Sequence, residues 1–190
     1  MNYIELVSNI NDYLENEFSK EEVDKFIQQA EERIYNSVQL PDLRKNVTGN
    51  VTLGVQYLTC PADWLATFSL AIIDNSGTYT YLLNKDVSYI REAFPSPTDT
   101  ALPRFYGQFD ENTFILGPTP DSNYGVELHY FYYPESIVTA GTTWLGDNYE
   151  TVLLYGALVE GYTYMKGDAD LMTAYKTRYE EALAMLNALS

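Results

Sequence analysis

The sequence predicts an α+β fold in which N- and C-terminal helices form a helical bundle around a central antiparallel β insertion. Apolar residues recur at helical spacing near both ends of the chain and alternate with polar residues in the middle. The chain has 190 residues, 46% of them hydrophobic, which is enough apolar surface for a packed core. We therefore expect residues 1–45 and 145–190 to form the bundle and residues 50–135 to form the β-rich insertion.

The clearest helical signal follows residue 19. Ser19 and Glu22 have the spacing of a capping box, in which the hydroxyl accepts a hydrogen bond from an exposed amide and the carboxylate reaches back. Behind them, seven apolar residues fall on one helical face: Val23, Phe26, Ile27, Ala30, Ile34, Tyr35 and Val38. Pro41 disfavours helical geometry in the residue before it, so the helix is predicted to end near residue 40. Residues 3–15 are also predicted to be helical.

The middle of the chain changes to a period of two. This alternation predicts a strand over residues 51–57, with Val51, Leu53, Val55 and Tyr57 on one side. Strands at 68–72 and 78–83 are expected to pair across a turn at 74–77, and strands at 104–109 and 113–116 form a second hairpin. The strand at 124–133 should face the core with its even-numbered residues. A short helix is predicted at 86–94.

Two further helices are predicted at the end of the chain. Asp147 is expected to cap a helix that extends to Met165 and carries a wide apolar arc. The segment 167–170 interrupts it, and we expect Asp170 to cap the next helix, over residues 171–186. Since the connection is short, the two helices should form an antiparallel pair.

The residues that commonly carry catalysis are scarce. His129 is the single histidine and Cys60 the single cysteine, and neither stands in a pattern that supplies a nucleophile, a base and an orienting partner. The segment 167–170 resembles part of a calcium loop but lacks the later glycine and the final glutamate. We therefore predict no catalytic residues, no cofactor, no metal site and no enzymatic activity.

The net charge is −16, from 27 acidic and 11 basic residues. This charge opposes nucleic-acid binding, which depends on lysines and arginines that displace counterions from phosphates. It is consistent either with solubility alone or with a functional negative surface that repels DNA or pairs with a basic protein. No stretch of the sequence is long and apolar enough to cross a bilayer, and the first fifteen residues lack the pattern of a signal peptide.

The chain contains 18 tyrosines, and a core of this size is not expected to absorb all of them. Tyrosine offers a large, rigid contact area with one polar end, which suits protein interfaces and carbohydrate stacking alike. We predict that interaction residues come from eight aromatic positions: Tyr106, Tyr124, Tyr133, Trp144, Tyr155, Tyr162, Tyr175 and Tyr179.

The second half of the chain resembles a known family. The segments that carry the resemblance are LPRFY (102–106), FILGPTPD (114–121), YGVELHYFYYP (124–134), TWL (143–145) and YGAL (155–158). They are similar to the head-to-tail adaptor proteins of tailed phages, in particular to the tail tubular protein A type of short-tailed phages. Residues 20–60 match by helix pattern only, and residues 59–100 show no assignable similarity.

The resemblance implies a virion protein, made in the host cytoplasm, that has no catalytic residues. In this family a ring, commonly a dodecamer, docks on the portal protein and presents a platform to the tail tube or nozzle. The ring would line the DNA exit channel, and its negative charge would let DNA pass without specific binding. No membrane partner is implied.

Two other functions remain open from the residues themselves. The first is a virion module that binds a receptor or a carbohydrate through exposed aromatic side chains, although Trp64 and Trp144 are far apart in sequence. The second is a small hydrolase whose site is not recognisable from the sequence, which would involve His129 or Cys60. Loss of an assayed activity on substitution of either residue would support the hydrolase.

Overall fold

The α+β prediction is confirmed by a computed structural model that describes residues 1–189. Ser190, the last residue of the predicted bundle, lies outside the described residues. The chain divides into two compact units. The helical unit comprises Met1–Leu43 together with residues 133–189, and the β unit comprises Arg44–Tyr132. Each unit has its own hydrophobic core.

The helical unit contains six α-helices within the described residues. They are α1 (Tyr3–Leu14), α2 (Lys20–Ser37), α4 (Ile137–Ala140), α5 (Trp144–Asn148), α6 (Glu150–Tyr164) and α7 (Ala169–Asn187), numbered so that α3 falls in the β unit. The central helix is α6, which packs against α1, α2 and α7. A Cβ atom added at Gly161 of α6 would lie 2.7 Å from Leu14 Cδ1, so this glycine permits the close approach of α1.

Hydrogen bonds at the helix ends follow the sequence in α2 and depart from it later in the chain. Ser19 and Glu22 form the predicted capping box, and the apolar face behind them is buried. Asp147 does not cap a long helix, because Thr143 starts the short α5 with its hydroxyl and Asp147 lies inside that helix. Asp170 is likewise not the cap of α7. The carboxylate of Asp168 accepts hydrogen bonds from the amides of residues 170 and 171, which places the cap two residues earlier.

The β unit contains ten strands and one α-helix within the described residues. In chain order these elements are β1 (Arg44–Asn50), β2 (Tyr57–Thr59), β3 (Ala66–Ile73), β4 (Tyr79–Tyr81), β5 (Leu83–Asn84), α3 (Val87–Ala93), β6 (Thr100–Ala101), β7 (Phe105–Asp110), β8 (Thr113–Gly117), β9 (Thr119–Pro120) and β10 (Gly125–Phe131). The first sheet has the order β1-β10-β3-β4 and is antiparallel throughout. The second has the order β2-β8-β7-β5, and β6 pairs with β9 in a small third sheet.

The prediction of a strand over residues 51–57 is wrong. Gly54 adopts a positive φ of 76°, and the amide of Val55 bonds to the carbonyl of Thr52, so the chain turns there. The strand lies earlier, in β1, whose polar sequence RKNVTGN gives no apolar alternation because its side chains are mostly exposed. Of the residues expected on one side, Val51 is buried, whereas Leu53, Val55 and Tyr57 are exposed.

The other strand predictions are confirmed, except that the strand predicted at 78–83 is divided into β4 and β5, which lie in different sheets. The hairpins β3–β4 and β7–β8 are present, and the even-numbered residues Val126, Leu128 and Tyr130 of β10 are buried. Phe68 follows the same two-residue spacing as the buried residues Leu70 and Ile72, yet 52% of its surface is exposed. The register shifts at this point between β3 and β10, and such a bulge turns a side chain to the other face of the sheet.

Candidate interaction surfaces

Two of the eight aromatic residues singled out from the sequence are exposed in the helical unit. The ring of Tyr133 stacks on the ring of Tyr35 at 6.3 Å, and its hydroxyl donates to Asn36 Oδ1 at 2.5 Å. Trp144 packs against Tyr149 with 5.4 Å between ring centroids. Both rings are therefore held in place by intrachain contacts while part of their surface remains open to solvent.

Four more of these residues lie between α6 and α7. Tyr155 and Tyr162 of α6 contact the ring of Tyr175 at 6.3 and 5.5 Å. The hydroxyl of Tyr162 also accepts a hydrogen bond from the Asp168 amide, next to the cap of α7. Tyr162 and Tyr179 are buried, whereas Tyr155 and Tyr175 are half-buried. The buried rings of Tyr162 and Tyr179 offer almost no surface to a partner protein, and they contribute instead to the packing of α6 against α7.

The remaining two lie in the β unit. Tyr106 is buried and packs edge-on against Phe114 at 5.4 Å, within the core. Tyr124 is half-buried and its hydroxyl donates to the carboxylate of Asp121. The structure therefore does not collect the eight residues into one patch: six lie in the helical unit, two in the β unit, and three are buried.

Sequence reasoning missed an aromatic face on the first sheet of the β unit. We define the aromatic face as Arg44, Phe68, His129 and Phe131. The ring of Phe68 lies 5.1 Å from the ring of His129 and 6.0 Å from that of Phe131. The bulge in β3 brings Phe68 to this side, a placement that a strict two-residue period cannot indicate.

Arg44 supplies the charge of the aromatic face. Its guanidinium carbon lies 4.6 Å from the centroid of the Phe68 ring and 5.7 Å from that of Phe131, in the range of cation–π contacts. Its Nε is buried and has no hydrogen-bond partner within residues 1–189. His129 is therefore part of an aromatic and cationic surface, with Asn46 and Ser69 as its cross-strand neighbours.

A groove of about 490 Å³ runs along the β unit between β1 and β2, the edge strands of the two larger sheets. Its lining combines apolar residues such as Leu58, Phe114 and Leu128 with uncharged polar residues such as Thr48 and Asn50, and it contains no charged residue. Cys60 lines this groove but is buried, and burial together with the charge of Asp110 raises the pKa of its thiol to about 11. The thiol is therefore protonated at neutral pH, which opposes a role as a nucleophile.

Each unit also contains a carboxylate with a structural role. In the helical unit, the buried Glu31 of α2 accepts hydrogen bonds from Ser136 Oγ at 2.6 Å and from the Ile137 amide at 2.8 Å, at the start of α4. Burial raises the pKa of Glu31. In the β unit, Asp63 accepts from Lys45 Nζ at 2.8 Å and from the Tyr130 hydroxyl at 2.7 Å. These bonds lower the pKa of Asp63, the Lys45 bond having the larger effect.

The described part of the chain shows neither a metal cluster nor a membrane span. No group of three or more His, Cys, Asp or Glu side chains within residues 1–189 is placed to hold a metal ion. No helix in the same range is long and apolar enough to cross a lipid bilayer.

Comparison with known proteins gives one family. The family model described as SU10 adaptor protein matches residues 1–190, including residues 59–100, to which the sequence patterns assigned no similarity. A search of curated proteins gave no match. The adaptor part of the expected resemblance is thereby confirmed, whereas the finer likeness to the tail tubular protein A type stays a prediction.

Proposed function

Because the chain belongs to the SU10 adaptor protein family, a family of phage adaptors, we propose that it forms a ring between the portal and the tail. The match over residues 1–190 is the observation that carries this proposal. The partners are the portal protein on one side, the tail tube or nozzle protein on the other, and further copies of the chain in a dodecameric ring. The protein acts as a structural component of the virion neck.

The aromatic residues that keep open surface are the proposed contact residues. They are Tyr124, Tyr133, Trp144, Tyr155 and Tyr175. Tyrosine and tryptophan are enriched at protein interfaces because a rigid ring buries much area with little loss of side-chain entropy. Tyr106, Tyr162 and Tyr179 are buried and contribute to the packing of their own units.

The ring is further proposed to line the DNA exit channel without binding DNA specifically. A surface of net negative charge offers no cations to phosphate groups, so DNA can slide along it. Three basic residues that could oppose this role are engaged inside their own units. Arg33 is paired with Glu160, Arg44 stacks on the aromatic face, and Lys45 is paired with Asp63. A channel wall lined by these three residues would contradict the proposal.

The deciding experiment mixes the purified chain with purified portal and examines the particles by electron microscopy. We expect an additional discrete ring of density on one end of the portal, and the tail tube protein should then bind only to particles that carry it. Intact portal particles without added density would refute the proposal. A monomeric chain in the absence of portal is compatible with it, because the ring needs the portal as a template.

The aromatic face gives a specific place for the alternative function, carbohydrate or receptor binding. Exposed aromatic rings stack on sugars, and the Phe68 ring has half of its surface open beside the Arg44 guanidinium. A glycan array probed with the chain and with a Phe68→Ala variant tests this function. Binding to a defined glycan that is lost in the variant would favour it over the adaptor.

A further inference from the structure

The first sheet of the β unit has two open edges, β1 and β4. β1 has seven residues and no proline, and within it no bulge interrupts the pairing with β10. The edge strands of the second sheet, β2 and β5, have three and two residues. Natural proteins usually shorten, charge or cover such edges, because unpaired amides and carbonyls accept another strand. β1 is therefore the longest edge strand of the two larger sheets, and from residue 46 onward it carries no charged side chain.

The backbone groups at the β1 edge are unpaired in a regular order. The Val51 amide donates to the Tyr124 carbonyl at 3.0 Å, so residues 45, 47 and 49 also turn their amides and carbonyls towards β10. The amides and carbonyls of Asn46, Thr48 and Asn50 consequently point away from the sheet. None of these outward backbone groups has a hydrogen-bond partner within residues 1–189.

The opposite edge has the matching arrangement. The Leu82 amide donates to the Leu70 carbonyl at 2.9 Å, which directs the backbone groups of Tyr79 and Tyr81 outward from β4. In the part of the chain that the structure describes, these groups too lack a partner. The Tyr79 and Tyr81 side chains are 48% and 65% exposed, so this edge is apolar as well as unpaired.

Charge also favours these two edges as the place where copies meet. The chain has a net charge of −16, so most of its surface repels a second copy. By contrast, residues 46–62 and 75–84, which contain the two edges, hold no Asp, Glu, Lys or Arg. Arg44, at the start of β1, adds positive charge next to the first of these segments, whereas the charge of Lys45 is paired with that of Asp63. Two copies that approach edge to edge therefore avoid the repulsion between their carboxylates.

The two edges fit each other in direction and in face. The four strands alternate in direction, so β4 of one copy and β1 of the next run antiparallel when the sheet continues across the interface. Thr48, Glu127, Ala71 and Tyr81 are successive cross-strand neighbours and therefore share one face of the sheet. The outward groups of β4 thus meet those of β1 with both sets of side chains on that same face.

We propose that neighbouring copies in the ring pair β4 of one to β1 of the next, so that their first sheets become one continuous sheet. The inference rests on the proposed ring. The contact joins two different surfaces of the same chain, which is the type of interface that closes into rings. It supplies partners for the outward amides of Asn46, Thr48 and Asn50 and covers the rings of Tyr79 and Tyr81.

Amide hydrogen exchange at single-residue resolution tests the pairing directly. The free chain, the chain assembled on portal, and the assembly with tail tube protein added are compared. In the free chain we expect the outward amides of Asn46, Thr48 and Asn50 to exchange fast, and the amides of Lys45, Val47 and Gly49 to exchange slowly. On assembly with portal, the outward amides should slow by at least about tenfold, while the others serve as internal controls.

A pair of variants separates the backbone from the side chain at the same position. Thr48→Pro removes an outward amide but no bond to β10, and proline is accepted at strand edges in this orientation. We expect it to reduce ring occupancy on portal at least about tenfold, since one hydrogen bond is lost and the added strand meets the proline ring. Thr48→Ala keeps the amide and should assemble as the unaltered chain does.

The possible results distinguish this inference from the proposed function. A ring on portal with protected outward amides supports both. A ring in which these amides still exchange fast overturns the strand pairing and leaves the adaptor function standing. Protection that arises only after tail tube protein is added identifies that protein, and not a second copy, as the occupant of the edge, and overturns the inference. Absence of any ring refutes both.

Discussion

The helical unit and the β unit differ in how many of their backbone amides and carbonyls form hydrogen bonds within the unit. The long helices make their hydrogen bonds internally, and the side chains of Asn2, Ser19 and Asp168 cap the N-terminal ends of α1, α2 and α7. The central helix α6 has no side-chain cap at its start. The first sheet of the β unit instead leaves a row of amides and carbonyls unpaired along β1 and β4. The long helices of the helical unit therefore need no partner for their backbone hydrogen bonds, whereas the edges of the β unit have free backbone groups to which another strand can bind.

The same contrast appears in the carboxylates that hold each unit. Glu31 is buried among helices, and loss of its hydration raises its pKa. Asp63 is partly exposed, and its hydrogen bonds to Lys45 and Tyr130 lower its pKa. Ionisation of Glu31 is therefore unfavourable for the stability of the helical unit, whereas ionisation of Asp63 stabilises the β unit. The fluorescence of the two tryptophans reports the unfolding of the two units separately, because Trp144 lies in the helical unit and Trp64 in the β unit.

The largest effect is expected from the centre of the helical unit. Leu153 of α6 is fully buried, so Leu153→Ala should lower the free energy of unfolding by about 2–5 kcal/mol through lost burial and a residual cavity. Urea unfolding followed by Trp144 fluorescence in a Trp64→Phe background measures this. The matched control is Met185→Ala at a position that is 72% exposed, which should change stability by less than about 0.5 kcal/mol. Equal shifts in the two variants would contradict the assigned core.

The next effect is expected at Asp63 in the β unit. Asp63→Asn should lower the free energy of unfolding by at most about 1 kcal/mol at neutral pH, because the solvent-screened Lys45 pair is lost and the bond from the Tyr130 hydroxyl is weakened. The folded-state pKa of Asp63 lies below its ordinary value of 3.8. The stabilisation is therefore present above pH 3.8 and disappears as the pH falls through the lowered pKa. A difference from the unaltered chain that persists unchanged at lower pH, by urea unfolding with Trp64 fluorescence, would be inconsistent with this account.

A smaller effect of opposite sign is expected at Glu31. Because its folded-state pKa is raised above 4.5, the unfolded chain loses this proton first, and stability falls as the pH rises from 4.5 through the folded pKa. Glu31→Gln cannot ionise, yet its carbonyl can still accept from the Ile137 amide. We expect the variant to lie within about 1 kcal/mol of the unaltered chain at neutral pH and to gain relative to it as the pH rises through this window. Parallel pH profiles for the two proteins would show that Glu31 does not titrate there.

Sequence patterns predicted the helical unit better than the β unit for a physical reason. A helix such as α2 shows its buried face as a run of apolar residues at fixed spacing, and Ser19 and Glu22 mark its start. An edge strand such as β1 has no such mark, since most of its side chains are exposed and polar. The interval 51–57 alternates as a strand would, but Gly54 allows a turn that only the three-dimensional hydrogen bonds reveal.

The exposure of the eight aromatic residues could be predicted only in part, because composition does not say which aromatic residue is buried, and their role as interaction residues stays a prediction. Tyr133 and Trp144 do keep open surface, whereas Tyr106 and Tyr179 pack inside their units. The aromatic face could not be anticipated, because its most exposed ring, Phe68, reaches that side through a bulge between two strands distant in sequence. The bulge depends on how β3 pairs with β10, so the spacing of residues within β3 alone does not indicate it.

The smallest effect on folding is expected at the open edge itself, at Tyr81. Its side chain is 65% exposed, so Tyr81→Ser should change the free energy of unfolding by less than about 0.5 kcal/mol. If β4 meets a neighbouring β1, however, the lost ring area should weaken the ring on portal, which electron microscopy detects as lower occupancy. Met185→Ala on α7 is the control, because it removes an exposed apolar side chain away from this edge with equally little effect on folding. A loss of occupancy in Tyr81→Ser but not in Met185→Ala is therefore specific to the β4 edge. Normal occupancy with Tyr81→Ser would mean that the Tyr81 side chain is not buried between copies. The difference between the two units in unpaired backbone groups would then have a consequence for assembly only at the β1 edge.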